Sequence, residues 1–124
     1  MRTDALYLAD MIEAADDIAA FVGGMGRDSF LGNNLVRSAV LQKLTVIGEA
    51  AARLSPAFRD RHPETDWADI VAFRNIAVHA YFTVDWSIVW VAATQDAPVL
   101  RQRAAGILAS EFPDARQGSK GRGD

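Results

Sequence analysis

The chain holds two histidines, His62 and His79, and only the second keeps company that can do chemistry. Arg74, Asn75, His79 and Tyr81 lie together in the stretch Arg-Asn-Ile-Ala-Val-His-Ala-Tyr. Histidine exchanges a proton near neutral pH, arginine stabilises charge on a phosphoryl oxygen, and asparagine can orient either one. Such a set suits cleavage of an RNA phosphodiester by its own 2′-hydroxyl. That reaction needs no metal, but it wants a general base and a general acid on opposite sides of phosphorus. One chain supplies one such histidine, and two-fold pairing of two copies would supply the second. The same residue types also serve packing and hydrogen bonding near a helix end, so spacing alone leaves both readings open.

Other candidate sites are weaker. His62 sits in the charged run Arg59-Asp60-Arg61-His62-Pro63 and reads as a solvated loop histidine. No His-Glu-x-x-His pattern or other metal-ligand spacing is present, and no cofactor is expected. Gly23-Gly24-Met25-Gly26 follows a helical pattern instead of joining strand to helix, so it does not read as a phosphate loop. Ser29, Ser38, Ser55 and Ser87 have no base nearby in sequence. Trp67, Trp86 and Trp90 read as core or interface anchors. With no cysteine, disulfide scaffolds, thiolate metal sites and cysteine nucleophiles are excluded.

The elements that must position Arg74 and His79 are helical. Apolar residues recur at three- and four-residue steps, and strand signals are nearly absent. A first helix is predicted over residues 4–21, capped by Thr3, with Leu8, Met11, Ile12, Ala15, Ile18 and Val22 as its apolar stripe. Gly23, Gly24 and Gly26 end it, and Asp28 caps a short turn through Phe30 and Leu31. A second long helix covers 33–54 with Val36, Val40, Leu44, Ile47, Ala51 and Leu54 inward. Leu35, Ala39, Val46 and Ala50 make a second apolar face on it. Gly48 in its interior predicts a close helix approach, and Glu49 with Arg53 reads as a surface ion pair. Asp66 caps a helix over 67–79 that ends on the histidine. Asp85 caps the last long helix, which continues through Val91, Val99 and Leu108, with a kink or restart near Asp96 caused by Pro98. The expected architecture is all-α, an antiparallel bundle of four main helices.

The 124 residues and net charge of −3 fit one domain. We expect an ordered domain over residues 1–112 and a disordered polar tail over 113–124. No apolar run is long enough for a membrane span and no signal pattern opens the chain, which suggests a cytoplasmic protein. Mild acidity argues against coating nucleic acid through bulk positive charge.

The stretch RNIAVHAYFTVDW resembles the signature of the HEPN superfamily, and specifically of HepT-like toxins: an arginine, four to six residues, a histidine, one residue, a tyrosine. LADMIEAADDIAAFVGGM is similar to that family's first helix and VIGEAAARLSP to the end of its second. DWADIVAFRN leads into the motif, and VDWSIVWVAATQDAPVLRQRAAGIL is similar to the closing helices. The resemblance covers roughly residues 5–110. It implies an antiparallel HEPN bundle of four to five helices, a homodimer, and a metal-independent endoribonuclease toxin of a type VII-like toxin–antitoxin pair, acting on tRNA or mRNA. Carried over residue by residue, Arg74 and His79 are the catalytic pair and Asn75 supports them. Tyr81 is the acceptor of AMP from an MntA-type minimal nucleotidyltransferase antitoxin. The resemblance also allows a catalytically weak binding module that docks such a nucleotidyltransferase.

Overall fold

The computed structural model describes residues 3–79 and 84–113, apart from the side chains of residues 77–79. Tyr81, the link in which it lies, and nearly all of the predicted 113–124 tail fall outside the described residues.

Helix α1 (Asp4–Val22) starts at Thr3, whose hydroxyl accepts from the Leu6 amide at 3.4 Å. A side-chain acceptor there satisfies one of the amides that a helix start leaves without a partner. Leu8, Met11 and Ile18 on its inner stripe are fully buried. Of the three glycines after it, only Gly24 takes a left-handed conformation, at φ 78°. The short α2 (Arg27–Leu31) is capped by Gly26, and Asp28 lies inside its first turn instead of capping it. Asp28 still faces the positive end of that helix, a favourable place for a carboxylate.

Helix α3 (Asn34–Arg53) begins at Asn33, whose side chain accepts from the Val36 amide at 3.0 Å. It is the centre of the bundle, packing on α1 along its length and also on α2 and the later helices. Val40, Leu44, Ile47, Ala51 and Leu54 are buried, as their spacing predicts, and Val36 is partly so. On the second apolar face Ala50 is buried, but Leu35 is 80 % exposed. Asp4 ties α1 to the turn after α3 by accepting from both the amide and the hydroxyl of Ser55, each at 2.8 Å. Ser55 in turn caps α4 (Pro56–Arg61).

The predicted helix over 67–79 is two helices. Asp66 caps α5 (Trp67–Val71), Ala72 forms a tight turn, and α6 (Phe73–His79) follows. At the turn the Asn75 amide donates to the Ala72 carbonyl at 2.9 Å, a three-residue step that re-aims the chain. After the undescribed link, Asp85 caps α7 (Trp86–Val91). A wide π turn (Ala92–Asp96) then joins α7 to α8 (Ala97–Glu111), which packs on α1. The expected irregularity near Asp96 therefore takes the form of a π turn just before Pro98. Val89, Ala92, Leu100, Ala104 and Ile107 are buried along this stretch. Val91 and Val99, predicted as part of the same stripe, face outward, and so does Ile88, which is 59 % exposed.

The architecture is an all-α bundle, with no strand among the described residues. Among them, too, no helix is long and apolar enough to cross a membrane.

Candidate active site

Three of the four sequence-identified residues share the seven-residue α6: Arg74 in its second position, Asn75 in its third and His79 in its last. Arg74 and His79 are separated by about 7.5 Å along the axis, from the rise of an α-helix. Asn75 and His79 are one turn apart and fall on one face. Asn75 is exposed. The His79 side chain and the whole of Tyr81 lie outside the described residues.

Arg74 is fixed from two directions by α3. Its backbone lies against Gly48, so closely that a Cβ built on Gly48 would stand 2.5 Å from the Arg74 nitrogen and 3.0 Å from the Val71 carbonyl oxygen. Glycine is required there by space, since its own backbone angles are ordinary. The next residue, Glu49, reaches the arginine side chain: Arg74 Nη1 lies 3.6 Å from Glu49 Oε1. The other carboxylate oxygen, Oε2, lies 3.9 Å from Arg53 Nη2. One carboxylate thus stands between two guanidinium groups. The side chains of Arg74 and Glu49 are 39 % and 47 % exposed, so solvent and a bound anion both have access.

The Glu49–Arg53 pair was legible from its four-residue spacing, whereas the Glu49–Arg74 contact was not. Gly48 was the available signal, because it predicts a close approach, but it does not say which helix arrives.

On the other side of α6 the surface is apolar. Phe73 and Ile76 line a groove of about 540 Å³ with Ile88 and Val91 of α7, bordered by Asp69 and Asp96. The Asp69 carboxyl is raised above its ordinary range, first by the charge of neighbouring Asp66. A second groove, of about 530 Å³, runs between α1 and α3 past Gln42, Thr45 and Val46, with Glu49 and Arg53 also in its lining. The described residues contain no cluster of His, Cys, Asp and Glu placed to hold a metal ion.

His62 is not the solvated loop histidine its neighbours suggest. Its side chain is 16 % exposed, with Nε2 2.7 Å from Glu111 Oε2 and its ring 4.7 Å from that of Phe58. Its carbonyl accepts from Trp67 Nε1 at 2.9 Å. The residue is a structural pin joining α4, α5 and α8. Trp67 is buried, while Trp86 lies beneath the Arg37 guanidinium at 4.8 Å and Trp90 stands 5.1 Å from Phe30, so all three tryptophans act as anchors.

Residues 11–107 match the model of a family described as Ribonuclease HepT-like. The chain is 34 % identical to a Thermococcus cleftensis protein named "Probable ribonuclease HepT", over 81 % of this chain and 91 % of that protein. It is 32 % identical to a Methanocaldococcus jannaschii protein named "Putative RNase MJ1380", over 77 % of this chain and 88 % of the relative. A Caldanaerobacter subterraneus protein named "Putative RNase TTE0752" is 28 % identical over 90 % of this chain and 99 % of its own length. No solved structure matches the chain.

Proposed function

Since the chain belongs to the Ribonuclease HepT-like family, we propose that it is a metal-independent endoribonuclease in which Arg74 and His79 act at a site shared by two copies. The observation that supports this reading is the placement of both residues on one short helix inside the matched span, with the Arg74 guanidinium accessible to an anion. In the proposed reaction a histidine takes the proton of an RNA 2′-hydroxyl. The 2′-oxygen then bonds to phosphorus, the bond from phosphorus to the 5′-oxygen breaks, and that oxygen takes a proton from the second histidine. A 2′,3′-cyclic phosphate and a free 5′-hydroxyl result. Arg74 carries the charge that gathers on the phosphoryl oxygens, and Asn75 orients the reacting groups.

Within the same reading the chain is the toxin of a toxin–antitoxin pair in the cytoplasm, and Tyr81 is where it is silenced. The Tyr81 phenol gives up its proton to solvent as its oxygen attacks the α-phosphorus of ATP in the active site of an MntA-type minimal nucleotidyltransferase. Pyrophosphate leaves, and AMP remains attached two residues from His79. Added bulk and negative charge there oppose entry of an RNA phosphate.

Incubation of the pure protein with tRNA or total RNA in EDTA is the test. Wild type is expected to release fragments ending in cyclic phosphate, and His79→Ala is expected to release none. Equal cleavage by the two overturns the reading. Mass analysis after incubation with the nucleotidyltransferase and ATP should show an AMP-sized addition that Tyr81→Phe abolishes. Modification of a wild-type protein that never cuts RNA would instead identify a docking module.

A further inference from the structure

The structure assigns to Glu49 a role that spacing does not reveal: we propose that it is the positioning residue of Arg74, holding its guanidinium at the place where an RNA phosphate must meet it. The inference rests on the ribonuclease reading above for the identity of the substrate, and on the geometry of α3 against α6 for the rest.

Three observations carry it. First, the contact is part of a built junction. Gly48 admits the Arg74 backbone to a distance that any side chain would forbid, and Glu49, the next residue on α3, meets the same arginine's side chain. Backbone and head group of Arg74 are therefore both referenced to one turn of the bundle's central helix. Second, the carboxylate comes nearest to one guanidinium nitrogen, Nη1. A phosphate bound in bidentate fashion needs two parallel N–H donors, and Nε with Nη2 provides such an edge. A carboxylate nearest Nη1 draws the guanidinium toward α3 from that side, and the Nε and Nη2 edge is the one left for a phosphate. Third, Arg53 draws on the second oxygen of the same carboxylate. Glu49 consequently divides its charge between two arginines, and Arg74 keeps enough positive character to attract phosphate.

The contribution is geometric more than energetic. A half-exposed ion pair of this kind contributes little to stability. Displacement of a catalytic group by an ångström, by contrast, can cost about a hundredfold in rate. Electrostatics and positioning also predict opposite signs. Removing Glu49 takes one negative charge from beside the site, which by charge alone favours RNA binding. Loss of positioning lowers turnover whatever binding does.

The test compares wild type, Glu49→Ala and Glu49→Gln in RNA cleavage, with KM and kcat separated, alongside ¹⁵N spectra of the arginine side chains. Glutamine keeps an oxygen that can accept from Nη1, so it should restore most of what alanine loses. Glu49→Ala is expected to lower kcat by about tenfold or more with KM unchanged or reduced. It should also shift and broaden the Arg74 side-chain signal, and it should add nothing in an Arg74→Ala background. Unchanged kcat or an unchanged Arg74 signal overturns the proposal. So does an equal loss in Glu49→Ala and Glu49→Gln, which would point to charge instead of placement. Failure of the wild type itself to cut RNA is a separate result: it overturns the ribonuclease reading and with it any catalytic meaning of Glu49.

Discussion

Glu111 receives two basic side chains from the end of α4. Arg61 donates to Oε1 through both Nε and Nη2, and His62 meets Oε2 at 2.7 Å. The Arg61 hydrogen bond is the largest cause holding its carboxyl below the ordinary value of 4.5. A carboxyl lowered in the folded state stabilises the fold above its unfolded pKa, and that contribution is lost as pH falls through the folded one. Glu111→Gln should therefore melt below wild type at pH 7, by no more than about 1 kcal/mol for so exposed an anchor. The gap should close as the pH falls below the ordinary value of 4.5 and through the lowered titration of this carboxyl, which paired thermal melts across the acid range will check. Such pins were hidden from sequence because their partners lie about fifty positions apart. His62 looked solvated because its immediate neighbours are charged, and the Phe58 and Trp67 rings that shelter it come together only in the fold. Arg74, Asn75 and His79 were legible, by contrast, because one short helix carries them and their spacing is local.

Among the elements, the junction of α3 with α6 is the most constrained. Gly48→Ala would drive a methyl group into the Arg74 backbone, which cannot give way as a flexible side chain does. We expect a loss of about 1–3 kcal/mol in urea unfolding, in the range of overpacked interiors, accompanied by loss of RNA cleavage. If alanine is tolerated with full stability, the close approach is not what that glycine serves. Three helix starts were readable because Thr3, Asp66 and Asp85 offer a side-chain oxygen and do cap. Asn33, read as already helical, and Ser55 also cap, whereas Asp28, expected to cap, leaves that place to Gly26. The break at Ala72 was not readable. No glycine or proline marks it, and the turn follows from the need to lay α6 across Gly48, a tertiary demand.

For the whole molecule, the proposed site requires two copies, and the apolar strip beside α6 is consistent with that. Phe73 and Ile76 on α6 adjoin Ile88 and Val91 on α7, outward-facing side chains that the amphipathic pattern had placed inside. Pattern alone could not tell a stripe facing the chain's own core from one facing elsewhere. If cleavage is a property of the dimer, activity per chain should fall on dilution in step with dissociation followed by sedimentation. Activity per chain that stays constant across the dissociation range would place the whole reaction within one copy. The charge of −3 sets a further condition, since RNA must approach a net acidic surface. Binding should then depend on Arg74 and weaken with salt.

The π turn between α7 and α8 has its own logic. Pro98 has no amide hydrogen to offer Thr94 four residues back, the Ala97 amide reaches the Ala92 carbonyl instead, and the Thr94 hydroxyl donates to the Trp90 carbonyl at 2.8 Å. In effect the turn holds one residue more than a regular helix would, a spare unit of phase. Excising a single residue between positions 92 and 96 would therefore close the turn into regular helix and leave the faces of α7 and α8 pointing where they now point. The same excision inside α7 or α8 would instead rotate everything beyond it by about 100°. The turn is thus the place in the closing arm of the bundle where the chain can change its length by one and keep Val89 and Leu100 in the core.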